Sequence, residues 1–280
     1  MSSARTSTSP EHRRRFAVGL ARAFAGAVIF GLPLLMTMEM WWLGFYMESW
    51  RLALLLVLFF PFLVALSWHV GFEPTFSLRD DVVDALVAYA VGFVSSALGL
   101  WLIGVLKPDA SLREMVGQVS LQAVPASIGA LLSQTQLGGK NAKQQPRGGV
   151  ALYWSDLFIM SVGALFLAFN LAPTEEMVQI AAGLSEARTA LLIVVSVAAM
   201  HMFVYAVAFR GQPQDHQKAS GWSVLMRFTV TGYVLAALVS AYMLWSFGRL
   251  DGLSPAAALH AVAVLGFPAA IGAAAARLIL

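Results

Sequence analysis

Eight apolar runs of about twenty residues or more fill this chain, at roughly 18–46, 51–71, 82–106, 113–134, 152–172, 188–209, 223–247 and 255–278. A hydrocarbon core of about 30 Å takes about twenty residues of helix to cross, so each run is long enough to span a bilayer. The residues that interrupt the runs are mostly Gly, Pro and Ser, which membrane helices tolerate. Composition agrees: 59% of the 280 residues are hydrophobic and 12% charged, where a soluble domain is about half apolar and about a quarter charged. The expected fold is an all-α polytopic membrane protein with eight transmembrane helices. Cysteine is absent, which excludes disulfides, thiolate metal sites and Cys nucleophiles together.

Residues 1–15 are Ser/Thr-rich and then basic (His12, Arg13, Arg14, Arg15), a composition expected to form a disordered cytoplasmic tail. The apolar run that follows is far longer than a signal-peptide core, so it reads as a retained helix. With the N-terminus cytoplasmic and eight spans, thirteen of the 18 Lys and Arg fall on the inner side. Arg51, Lys107, Arg113, Arg188 and Arg249 remain outside. This is the bias of the positive-inside rule, and it places both termini in the cytoplasm. The cationic clusters are then orientation signals, and no nucleic-acid partner is expected.

Shifted by 137 positions, the chain matches itself: Thr37, Glu39 and Met40 meet Thr174, Glu176 and Met177, and Arg51 meets Arg188. At an offset of 144, Tyr89, Ser96, Trp101 and Gly104 meet Tyr233, Ser240, Trp245 and Gly248. At 143, Pro125-Ala126-Ser127-Ile128-Gly129-Ala130 meets Pro268-Ala269-Ala270-Ile271-Gly272-Ala273. The offset changes only in loops. Two repeats of four helices follow, at 16–135 and 151–280, joined by a cytoplasmic linker at 136–150. Four helices per repeat imply parallel repeats about a pseudo-two-fold along the membrane normal. Re-entrant Pro125 and Pro268 helices would invert the repeats and spoil the charge bias.

Carboxylates inside apolar runs are costly and point to function. Glu39 lies six residues after Pro33; Glu175 and Glu176 follow Asn170 and Pro173. Proline frees carbonyl oxygens, and broken helices set such oxygens beside carboxylates and hydroxyls. Thr37, Glu39, Asn170, Thr174, Glu175 and Glu176 would together suit a proton or a small hard cation, with the two halves of the site meeting at the repeat interface. A structural reading competes. Pro173-Thr174-Glu175-Glu176 is also a helix start, with Thr174 as N-cap and acids complementing the dipole. Glu39 lies about 12 Å from the middle of its run, near interfacial water.

Asp80, Asp81 and Asp84 open the third run, and Asp156 the fifth; acids there usually complement a helix N-terminus in solvent. His201 is the deepest histidine, and His69 and His260 sit near opposite faces, so paired metal or haem ligation is not expected. Gln118, Ser120, Gln122 and Ser127 make a polar stripe that either lines a pore or bonds neighbouring helices. Ala126/Ala130 and Ala269/Ala273 mark close helix contact, within the chain or in a homo-oligomer.

Residues 32–47 (LPLLMTMEMWWLGFYM), 84–98 (DALVAYAVGFVSSAL), 121–132 (LQAVPASIGALL), 160–177 (MSVGALFLAFNLAPTEEM) and 203–212 (FVYAVAFRGQ) resemble an uncharacterised bacterial family of multi-spanning integral membrane proteins. That resemblance covers nearly the whole chain and implies a bacterial inner-membrane protein without an assigned activity. Asn170-Leu171-Ala172-Pro173-Thr174-Glu175 is also similar to the Gly-Asn-Ala-Pro-Glu motifs of cation/calcium exchangers, by which Glu175 or Glu176 would be a ligand. Phe169 stands in place of the glycine, Thr174 is inserted, and the first run has no matching Asn. The leading expectation is a cation or proton-coupled transporter or channel. The alternative is a non-transporting scaffold or accessory subunit. An enzyme is not expected: there is no intramembrane Gly-x-Gly-Asp, no HExxH and no Ser/His pair on plausible neighbouring helices. No Lys lies within a run to form a retinal Schiff base, and no cofactor is implied.

Overall fold

The structure, a computed structural model, describes residues 10–70, 78–137, 149–208 and 225–279. Every regular element among them is a helix: α1 (Pro10–Leu35), α2 (Met38–Tyr46), α3 (Ser49–Val70), α4 (Leu78–Leu102), α5 (Leu112–Leu137), α6 (Gly149–Leu171), α7 (Glu175–Gly183), α8 (Glu186–Ala208), a π-helical turn (Leu225–Val230), α9 (Thr231–Ser246) and α10 (Pro255–Ile279). Eight of the helical stretches are long and apolar enough to cross a membrane. Helix α1 begins at Pro10, so residues 10–15 are helical rather than a disordered tail. The first nine residues of the expected tail, and 138–148 of the expected linker, lie outside the described residues. The first apolar run is also not one helix: it divides into α1 and α2 at Met36–Thr37.

The chain separates into two compact units, Met1–Gln144 and Gln145–Leu280. In the first, α5 is the hub, packed by α1, α2, α3 and α4. Its most apolar stretch is 83% buried against 28% for α3, so α5 sits inside the unit and α3 forms its flank. The composition of α5 explains this. Helices in lipid gain no hydrophobic push toward one another and associate through close packing and polar contacts, which small residues permit. Gly, Ala and Ser let neighbouring backbones approach: a Cβ added at Gly26 or Gly129 would collide with the carbonyl of the other. Gly44 and Gly117 bring α2 equally close, and Gly92 of α4 leaves room only for Ser127. Helix α5 runs unbroken through Pro125.

In the second unit α10 is the hub, packed by α6, α7, α8 and α9. It too is continuous, through Pro268. Gly163 of α6 and Gly272 of α10 approach backbone to backbone, each carbonyl standing where the other's Cβ would be. Gly232 of α9 is filled instead by the methyl groups of Met160 and Met200.

These glycines should be intolerant of any side chain. Gly26→Val or Gly272→Val must separate two backbones and should cost at least about 1–3 kcal/mol, the usual penalty of overpacking. Gly19→Ala, with nothing within 4 Å of the new Cβ, should be neutral or stabilising by up to about 1 kcal/mol. Thermal unfolding midpoints in detergent distinguish the two classes.

Candidate functional site at the helix breaks

The break in the first unit is built by Pro33 and Thr37. Proline has no N–H and clashes with the preceding turn, so the helix weakens there. Met36 N still bonds Leu32 O at 3.1 Å, but Thr37 N tightens onto Leu34 O at 3.1 Å. Thr37 itself is extended, φ −104° and ψ 110°, and α2 starts at the next residue. The carbonyls of the interrupted turn are then satisfied one by one. Pro33 O accepts the Thr37 hydroxyl at 2.7 Å. Leu34 O accepts Gln122 Nε2 of α5 at 2.9 Å. Leu35 O accepts the Trp41 indole at 3.0 Å. On the far side of the break, Trp41 O accepts Gln118 Nε2 at 3.3 Å.

Those two glutamines fix the depth of Glu39. Gln118 and Gln122 lie six and ten residues from the Leu112 end of α5, about 9 and 15 Å along the helix. Glu39 lies in the chain between Leu34 and Trp41, whose carbonyls the two glutamines hold. Its backbone therefore runs at this level, well inside the length of α5. The side chain is in the first turn of α2, where a negative charge complements the helix dipole. It is partly exposed and has no hydrogen bond or ion pair among the described residues.

In the second unit α6 ends at Leu171 and α7 begins at Glu175. Asn170 Nδ2 bonds Phe166 O at 2.6 Å, and Leu171 O takes both the Thr174 hydroxyl at 3.0 Å and the Thr174 N–H at 3.1 Å. Pro173 O accepts a guanidinium N–H of Arg249. Phe169, buried, meets Phe247 edge-on with ring centroids 5.2 Å apart, closing the apolar side of the break. Glu175 and Glu176 are exposed in the first turn of α7.

Thus Thr37 and Glu39 share one break, and Asn170, Thr174, Glu175 and Glu176 the other. Among the described residues no hydrogen bond joins any of the six to another. Asn170 donates within its own helix, and Thr37 and Thr174 donate to carbonyls of the helix that precedes each break. The polar stripe of α5 is buried: Gln118 and Gln122 bond the carbonyls of the break, while Ser127 donates to Ala123 O of its own helix at 2.6 Å. Arg249 escaped the sequence reading, which counted it only as an orientation charge. The available signal was that a charge follows Gly248 where Val105 follows Gly104.

Other polar groups are held within their own unit. Asp81 is buried on α4 and accepts the Ser67 hydroxyl at 3.4 Å. Asp156 pairs with Arg277 at 3.1 Å, their side chains 13% and 7% exposed, and the guanidinium lies 4.1 Å over the Phe228 ring. His201 Nδ1 lies 2.9 Å from the Thr229 hydroxyl, which puts the deepest histidine in a bond to the π-helical turn. Among the described residues no three His, Asp or Glu converge to hold a metal ion.

A family profile described as "Putative integral membrane protein (DUF2391)" matches residues 19–280. The chain belongs to this family. The matched stretch takes in both helix breaks, both hubs and all but the start of α1. No curated protein matches the chain. No solved structure matches it. The exchanger likeness of residues 170–175 therefore rests on those residues alone, while membership in a multi-pass integral membrane family is established by the match together with the eight candidate spans.

Two measurements check the site's construction. Gln122→Leu removes one of the two bonds to Leu34 O, which keeps the Thr37 N–H, and should cost about 0.5–1.5 kcal/mol, seen as a lower unfolding midpoint. Asp156→Leu and Arg277→Leu should each cost about 3 kcal/mol by stranding a buried charge, and the double variant should recover much of that loss. A double-mutant cycle on unfolding midpoints reads the difference.

Proposed function

We propose that this integral membrane protein is a cation or proton-coupled transporter or channel of the bacterial inner membrane, working through a carboxylate at a break in a spanning helix. One observation carries the reading: each unit breaks its first spanning helix and places a carboxylate in the first turn of the short helix that follows. A carboxylate at membrane depth is kept where something uses its charge. Glu39, partly exposed and without an ion-pair partner, can take up a proton or a small cation without first releasing another group.

We infer further that the two units arose by duplication. Their helix breaks fall at equivalent places, Gly26–Gly129 and Gly163–Gly272 make the same contact, and Gly104 and Gly248 both adopt positive φ, 76° and 72°. The excess of Lys and Arg on one side of the spans supports cytoplasmic termini. Membrane lipids and a small cation or proton are the partners this reading needs, and no catalytic constellation or cofactor enters it. The small-residue faces leave room for a homo-oligomer.

A scaffold or accessory-subunit role is the second reading. It is favoured by the completeness with which the breaks satisfy themselves, since Pro33, Leu34 and Leu35 carbonyls all carry donors. The deciding experiment is flux in proteoliposomes, with Na⁺, K⁺, Ca²⁺ and H⁺ each offered to wild type and to the Glu39→Gln/Glu176→Gln double variant. Transport predicts flux of at least one ion in wild type and its loss in a double variant that still folds. Absence of flux for all four ions, at normal stability, moves the assignment to the scaffold.

A further inference from the structure

The two breaks differ in the charge that closes them. Around the first, every donor is neutral: the Thr37 hydroxyl, the Trp41 indole and the amides of Gln118 and Gln122. At the second, the Pro173 carbonyl is taken by the guanidinium of Arg249.

A rigid device aims that guanidinium. Helix α9 ends in a left-handed glycine, Gly248 at φ 72°, and Arg249 N folds back to Leu244 O at 2.8 Å. Only glycine enters this conformation without strain, which makes it a common helix stop. Helix α4 ends by the same device: Gly104 has φ 76°, and Val105 N reaches Leu100 O at 2.9 Å. The residue after the glycine is thus placed by backbone geometry in both units, apolar in one and cationic in the other. Arg249 is partly buried, its Nε is buried without a hydrogen-bond partner, and among the described residues no carboxylate pairs with it.

Resting on the transport reading above, we propose that Arg249 is a tethered cation filling the second break, so that only the first break, with Glu39, receives a mobile cation or proton. A guanidinium already bonded to Pro173 O occupies a carbonyl oxygen of the break that a cation would otherwise seek. Its fixed charge also repels a second cation at close range, and partial burial leaves that repulsion poorly screened. Glu175 and Glu176 complement the α7 dipole, and their negative charge keeps a free anion from taking the place. Glu39 has no such neighbour. Arg249 is on this assignment a specificity-determining residue, and the two matching glutamates are unequal.

The test is flux of the ion that wild type carries, measured for Glu39→Gln and Glu176→Gln separately, with unfolding midpoints as a folding control. Glu39→Gln should lose flux by at least about tenfold, while Glu176→Gln stays within about twofold of wild type. If Glu39→Gln does not fold, Glu39→Asp against Glu176→Asp asks the same question with the charge retained; only the first should slow transport. Loss in both single variants, or in the Glu176 variant alone, overturns this assignment and leaves the transport reading standing. A wild type that carries no ion overturns both.

Discussion

A peptide carbonyl in hydrocarbon that loses its helical donor has no water to turn to, and must be satisfied from within the protein. This requirement governs both units. It makes the spans helical, and wherever a helix is broken it demands a donor from somewhere else. In the first unit the donors come from α5 and from Trp41. In the second they come from Asn170, Thr174 and Arg249. Breaks are costly to build in a membrane, and these two are built from different parts.

The hubs follow from the same setting. Because lipid gives apolar side chains no reason to leave it, helix pairs are held by contact quality, and the tightest contacts here are backbone on backbone at paired glycines. The small residues that allow this also free α5 to carry buried Ser and Gln. A helix surrounded on every side by its own unit can afford polar side chains that a lipid-facing helix cannot. Central position, small-residue composition and polar cargo are one property.

Charge is distributed by depth and by partner. Asp156 and Arg277 neutralise each other near helix ends, with Phe228 under the guanidinium. Asp81 is held by a hydroxyl in the first turn of α4, where the dipole also favours it. Glu39 has a favourable helix end and no partner, and Arg249 has a carbonyl and no acid. Glu39 and Arg249 both stand at the breaks, which is why the functional reading falls there.

The amino-acid sequence by itself determined the membrane class, the number of spanning helices and the residues at which α6 stops, because length, hydropathy and proline act locally. It also marked Glu39, Glu175 and Glu176 as unusual, since the cost of a carboxylate in an apolar run needs no tertiary knowledge. It misjudged α1 and α2 as one helix: where Thr37 leaves the helical path, Gln122 and Trp41 donate to the carbonyls released, and Gln122 comes from another helix nearly ninety residues away. The tertiary structure alone decided that Gln118 and Gln122 of the α5 stripe bond neighbouring backbone, and that Arg249 reaches Pro173. Both are contacts between segments distant in the chain, and which donor finds which carbonyl depends on how whole helices pack.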